Sequence, residues 1–180
     1  MNSAPKLKTL DELTVLRRQW ALQGKKVVWT NGCFDVLHAG HTRSLVAARA
    51  LGDVLVVGIN SDQSVRAIKG PLRPVVCEED RAELVAALEA VDYVMIFREP
   101  DPVAAITRLQ PDIHCKGAEY ADGSRAVPER EIVLGYGGEI RFLPLFKGRS
   151  TSGLLERIAA AYPQGSAAHS EPSVTVVNGR

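Results

Sequence analysis

A chain of 180 residues is near the usual length of one compact domain and can bury an apolar core without disulfide or metal staples. Its 22 basic and 21 acidic side chains leave a formal charge of +1, so no basic excess points to a nucleic-acid partner. Three cysteines, Cys33, Cys77 and Cys115, at no metal-like spacing, fit a reducing compartment, and the opening MNSAPKLK lacks the apolar run of a signal peptide or membrane span; the expected location is the cytoplasm, with no membrane partner.

In chain order, Thr9-Leu-Asp-Glu12 has the form of a capping box, and Leu10, Leu13, Leu16 and Trp20 follow at helical spacing up to Gly24. Val27 to Thr30 reads as a buried strand cut off by Asn31-Gly32. His41 to Leu51 is helical, and Val54 to Ile59 is the continuous apolar run of a parallel strand covered on both faces. The alternation continues with a helix over 78–90, a strand over 93–97, a helix over 102–109, a strand over 112–115, a helix over 128–136, a strand over 139–143 and a helix over 150–162. Right-handed crossovers then give an α/β fold, a doubly wound parallel sheet whose ligands bind beyond the strand carboxyl ends. Residues 1–162 are expected to form one domain, and the small, polar residues 163–180 an unstructured tail.

The densest signal is Thr30-Asn-Gly-Cys-Phe-Asp-Val-Leu-His-Ala-Gly-His41, which leaves the first strand, turns at glycine and feeds a helix. His38 and His41 flank a helix N-terminus, where unpaired N–H groups attract phosphate, and Ala39 and Gly40 let a bulky anion approach the main chain. Imidazoles can donate hydrogen bonds to it. Alternatives are a capped helix start with incidental histidines, or a zinc site built from Cys33, His38 and His41 that lacks a convincing fourth ligand.

This stretch resembles the HxGH signature of the cytidylyltransferase-like nucleotidyltransferase superfamily, relatives by fold of the class I aminoacyl-tRNA synthetases with a Rossmann-like sheet. Asn60-Ser-Asp62, Lys69-Gly-Pro-Leu-Arg-Pro74, Glu79-Asp-Arg81, Lys116-Gly117 with Tyr120, Val127-Pro-Glu129, Gly137-Gly138 and Gly148-Arg-Ser-Thr-Ser152 look like the stand-alone heptose 1-phosphate adenylyltransferases of ADP-heptose synthesis. The resemblance spans roughly residues 9 to 160. Two departures are Gly117-Ala-Glu-Tyr120 for the family's usual Gly-Gly-Asp-Tyr and Ser150-Thr-Ser152 for its Ser-Thr-Thr.

What the resemblance implies is transfer of AMP from ATP to a heptose 1-phosphate, with release of pyrophosphate. His38, His41 and Lys69 would be catalytic. ATP would meet Thr30, Asn31, Gly32, Cys33, Phe34 and Gly40 around the first turn, Lys116 and Gly117 on a later loop, and Arg149, Ser150, Thr151 and Ser152 at the last helix. Asp35, Asn60, Asp62, Lys69, Arg73 and Arg81 would bind the sugar phosphate. Mg²⁺ would ride on the ATP phosphates, with no protein cage. A homodimer is implied, as is a separate sugar kinase, for which the chain has no room.

The chemistry suits these residue types. A sugar phosphate has a second pKa of about 6, so the nucleophile is already ionised at neutral pH and no general base is needed. The protein must hold two polyanions in line and neutralise the charge that builds between them. Simpler readings stay open: Lys69, Arg73 and Arg81 as solvated charges, Asp35 and Asp62 as turn-stabilising carboxylates, Ser150 to Ser152 as a helix cap, Cys33 as a packed small residue, Cys77 and Cys115 as structural and His114 as non-catalytic. A cytidylyltransferase acting on glycerol phosphate, or a non-catalytic nucleotide-binding module, are the rival functions.

Overall fold

The computed structural model describes residues 4–124, 126–146 and 148–162. The expected tail, 163–180, lies outside the described residues.

Helix α1 (Leu10–Leu22) opens on a reciprocal capping box: the Thr9 hydroxyl accepts from the Glu12 N–H at 3.2 Å while the Glu12 carboxylate accepts from the Thr9 N–H at 2.7 Å. After it come β1 (Val27–Gly32), α2 (Ala39–Arg49), β2 (Val54–Asn60), α3 (Asp62–Lys69), α4 (Glu78–Ala86) and β3 (Tyr93–Phe97). The chain continues through α5 (Val103–Leu109), β4 (Ile113–Gly117), α6 (Arg130–Gly135), β5 (Glu139–Leu143) and α7 (Thr151–Ala161).

All five strands are parallel, in the order β3-β2-β1-β4-β5. The period-two alternation sorts their side chains into two cores. Val28, Leu55, Val57, Ile59 and Val94 pack with Leu45 of α2 and Val85 of α4, while Val27, Trp29, Val54, Val56 and Met95 pack with Leu13, Ile106 and Val133 of α1, α5 and α6. This is the Rossmann-like, doubly wound sheet that the strand and helix alternation predicts.

The two ends of the sheet are treated differently. At the amino ends, carboxylates close the strand starts: Asp53 accepts from the Lys26 N–H, Asp112 from the Val27 N–H and Asp92 from the Leu55 N–H, at 2.7 to 2.8 Å. At the carboxyl ends, the chain leaves β1 toward one side and β4 toward the other, and the strand order reverses there, which opens a crevice.

Several boundaries move from the sequence expectation. Helix α2 begins two residues earlier, at Ala39, because the His38 side chain caps it. Helix α4 stops at Ala86 and α6 spans only Arg130–Gly135. The largest difference is α3, a helix in a stretch to which the sequence reading assigned no element: the Ser61 hydroxyl accepts from the Ser64 N–H at 3.2 Å and Val65 is buried.

Candidate active site

The turn after β1 is the centre of the crevice. Phe34 and Val36 hold positive φ angles of 49° and 52°, an unusual conformation for large residues that surrounding bonds must enforce. The Asp35 carboxylate, 1% exposed, accepts from the Val75 and Val76 N–H groups and from Arg73 Nε at 2.5 Å. Burial alone would raise this carboxyl; the bonds from Val75, Val76 and Arg73 outweigh it and hold the group below its ordinary value. Arg81, wholly buried, donates to the carbonyls of Cys33 and Val76 and to Asp62 Oδ1. From the other side, Thr151 Oγ1 donates to the Asp35 carbonyl at 2.6 Å.

The turn delivers His38 to the start of α2. Its Nδ1 accepts from the Gly40 N–H at 3.1 Å and the His41 N–H at 3.4 Å, so the neutral ring carries its proton on Nε2. The His41 ring stacks on it with centroids 3.8 Å apart and planes 14° from parallel. Phe34 packs on the other side of His41 at 5.2 Å. Burial pushes His41 down to about 4, with the His38 charge adding to the effect, and burial also lowers His38, helped by Arg149. At neutral pH both rings are therefore neutral hydrogen-bond donors.

Gly40 is required by this packing. A Cβ there would lie 2.9 Å from Cε1 and Nδ1 of His38 and 3.0 Å from Cβ of Arg149. The spacing His-x-Gly-His thus has a steric cause: the glycine leaves room for the ring that caps the helix.

A cleft of about 670 Å³, well within the range of small-molecule sites, runs along the strand carboxyl ends. Of the residues singled out in the sequence, it gathers Asn31, Gly32, Cys33, Phe34, Asp35, His38, Gly40 and His41 on one wall. Asn60, Lys69 and Arg73 stand along it, with Lys116 and Gly117 from β4 and Arg149, Ser150, Thr151 and Ser152 at the mouth of α7. Three expected residues are not brought to it. Thr30 is buried, with its hydroxyl donating to the Cys115 carbonyl; Asp62 and Arg81 pair with each other behind the wall. Arg81 supports the turn instead of facing the space.

Other groups are placed in ways that residue type alone did not show. Burial raises the Cys33 thiol despite nearby Lys69, Arg81 and Arg73, so it is a neutral, half-buried residue of the cleft wall. Cys77, expected to be structural, is exposed at the start of α4. Ser150 caps α7 by accepting from the Gly153 N–H at 3.1 Å. Glu119, Tyr120, Asp101 and Phe146 also line the cleft without having been singled out as ligands. The signal for them was topological: in an all-parallel sheet the loops after β3, β4 and β5 reach the same edge as the loop after β1. Among the described residues no group of three or more His, Cys, Asp or Glu side chains is placed to hold a metal ion.

Because the unfolded chain binds a proton near the ordinary 6.5 and the folded His41 only near 4, the folded state loses stability on acidification through that window and keeps it in full above 6.5. His38 and His114 shift in the same sense. The expected result is a fall of about 2 kcal/mol in unfolding free energy between pH 7 and pH 5 from His41, flattened in His41→Asn. Urea titrations across that range check it; an unchanged slope in the variant would refute the assignment.

An open α/β sheet with Lys69, Arg73, Lys116 and Arg149 along the crevice at its switch point, and neutral imidazoles on a helix N-terminus, defines a Rossmann-like protein able to hold polyanionic ligands. The sequence matches the Cytidylyltransferase-like family over residues 29–137, and the chain belongs to that family. It is 45% identical over 161 residues to the bifunctional protein HldE of Pelobacter propionicus and 48% identical over 155 residues to that of Syntrophotalea carbinolica. These matches cover 89% and 86% of the chain but only 33% and 30% of the relatives, so the chain spans about a third of their length. Among solved structures, a lipopolysaccharide core biosynthesis protein from Thermoplasma volcanium superposes with a TM-score of 0.55 at 28% identity, over 70% of this chain and all of that one. A pantoate-beta-alanine ligase from Francisella tularensis shares the fold, with a TM-score of 0.54 at 13% identity, over 81% of this chain and 68% of that one. Family and relatives together make the chain a nucleotidyltransferase.

Proposed function

We propose that this nucleotidyltransferase joins the AMP part of ATP to the phosphate of a heptose 1-phosphate and releases pyrophosphate. The observation that carries the reading is the stacked, neutral His38–His41 pair on the N-terminus of α2, facing a cleft lined by Lys69, Arg73, Lys116 and Arg149. The kinship to HldE proteins and to a lipopolysaccharide core biosynthesis protein supports the sugar.

The triphosphate would lie across the N-terminus of α2, where the imidazole N–H groups and the positive end of the helix dipole stabilise charge on the α-phosphate as the sugar phosphate attacks in line. Lys69 and Arg73 would offset repulsion between the two anions, and Lys116 and Arg149 would receive the leaving pyrophosphate. The described residues fit a magnesium ion carried on the polyphosphate. Asp35 is engaged by Arg73 and Glu129 by Lys116, whereas Oε2 of Glu119 is buried without a hydrogen-bond partner among the described residues. Glu119 and Asp101, the other carboxylates along the cleft, would be the residues to approach such an ion, which would neutralise charge on the phosphates.

The test is a pyrophosphate-release screen that crosses four nucleoside triphosphates with sugar and polyol phosphates. Turnover with Mg-ATP and heptose 1-phosphate is expected. Turnover with CTP and glycerol phosphate would move the assignment to a cytidylyltransferase, and ATP binding with no release across the panel would leave a binding module.

The proposal extends to a cytoplasmic homodimer fed by a separate sugar kinase. Three free thiols suit a reducing compartment, and among the described residues no helix is long and apolar enough to cross a membrane. A sedimentation mass near 19.5 kDa, that of one chain, would contradict the dimer.

A further inference from the structure

Behind Lys116 lies a buried cluster that this chemistry leaves without a task. His114 and Lys116 are two residues apart on β4, so their side chains leave the same face of the sheet. Glu129, immediately before α6, meets both. Its Oε1 lies 2.8 Å from His114 Nε2 and 2.7 Å from Lys116 Nζ. His114 and Glu129 are both 0% exposed, and the Lys116 ammonium also sits over the Tyr120 ring at 4.9 Å from its centroid.

The charges are arranged with one purpose. Burial would raise the Glu129 carboxyl, but bonds from His114 and Lys116 outweigh it and take the group down to about 2, so the carboxylate only accepts. Nε2 of His114 must then carry the proton, and burial keeps that ring neutral. The His114 ring also meets the Trp29 backbone, while Glu129 Oε2 makes no hydrogen bond of good geometry among the described residues. A buried carboxylate with one oxygen unbonded is a poor stabilising device, and an apolar pair of like volume would serve the fold as well or better. The cation it neutralises is the ammonium that reaches the cleft wall, on a stem of freely rotating bonds that would otherwise sample many positions.

We propose that Glu129, oriented by His114, is a positioning residue that holds the Lys116 ammonium at the cleft wall to receive the phosphates of an incoming nucleotide. The inference rests on the nucleotide reading of the cleft given above. Lys116 touches the ligand; Glu129 and His114 act through it. The arrangement parallels metal sites, where a carboxylate behind a ligand fixes its orientation and its loss costs about 10-fold to 100-fold in affinity or activity.

The test is a double-mutant cycle on the full chain, read by calorimetric binding of Mg-ATP and of inorganic tripolyphosphate, with pyrophosphate release from ATP and heptose 1-phosphate measured separately. Glu129→Gln is expected to weaken tripolyphosphate binding about 10-fold or more, Lys116→Met at least as much, and the double variant no more than Lys116→Met alone. Glu129→Asp keeps the charge but withdraws it by one methylene, and is expected to lose binding as well. It also supplies the cycle if Glu129→Gln does not fold. Additive losses, or wild-type binding by the Glu129 variants, would overturn the proposal, since a merely structural carboxylate lowers the melting temperature in both backgrounds and leaves no coupling. Coupled binding without pyrophosphate release would uphold the positioning role and reject the proposed reaction; a wild-type chain that binds neither probe would reject both.

Discussion

His41→Ala is expected to lower kcat for pyrophosphate release by on the order of 10²-fold or more while the domain stays folded. The ring is neutral, stacked on His38 at 3.8 Å and backed by Phe34, so its N–H is held in place before substrate arrives. A donor fixed in this way stabilises charge that grows only during transfer, and its loss appears in kcat more than in KM for ATP. Initial rates with saturating Mg-ATP and heptose 1-phosphate, beside a thermal melt, separate loss of chemistry from loss of fold. Turnover within a few-fold of the parent would remove His41 from the reaction.

Gly40→Ala is expected to show a split result. Alanine is favoured over glycine inside helices by up to about 1 kcal/mol, so on propensity alone the change would stabilise α2. Here the new Cβ meets the His38 ring at 2.9 Å and Arg149 at 3.0 Å, and both must move. Displacing a transfer group by about 1 Å can cost on the order of 10²-fold in rate, so activity should collapse while the melting temperature changes little. The same assays read it, and near-normal turnover would mean that the His38 cap is not needed for the reaction.

Much of this site was legible because its cause is local. The run from Thr30 to His41 carries its own strand end, turn and helix start, and the near-regular alternation of strand and helix places that turn at a carboxyl edge. The structure adds that His38 is itself the cap, which explains the glycine between the two histidines.

What could not be read depends on contacts between distant segments. In α3 the apolar signal is only Val65 and Ile68, too sparse to announce a helix. Arg81 looks like a phosphate ligand by type, yet the fold turns it inward to Cys33, Val76 and Asp62, partners up to 48 residues away. Glu129 stands only as the end of the Val127-Pro-Glu129 match, with no role, and His114 as non-catalytic, until β4 and the approach to α6 are side by side.

The hydroxyl of Thr151 grips the carbonyl of Asp35 across 116 residues of sequence, tying the last helix to the first turn. One rim of the crevice is therefore the final segment of the described chain to be made, and a nascent polypeptide can complete its sheet before it owns a working pocket. A product shortened ahead of Gly148 would retain every strand of the sheet and lack the wall that Arg149 and the serines provide.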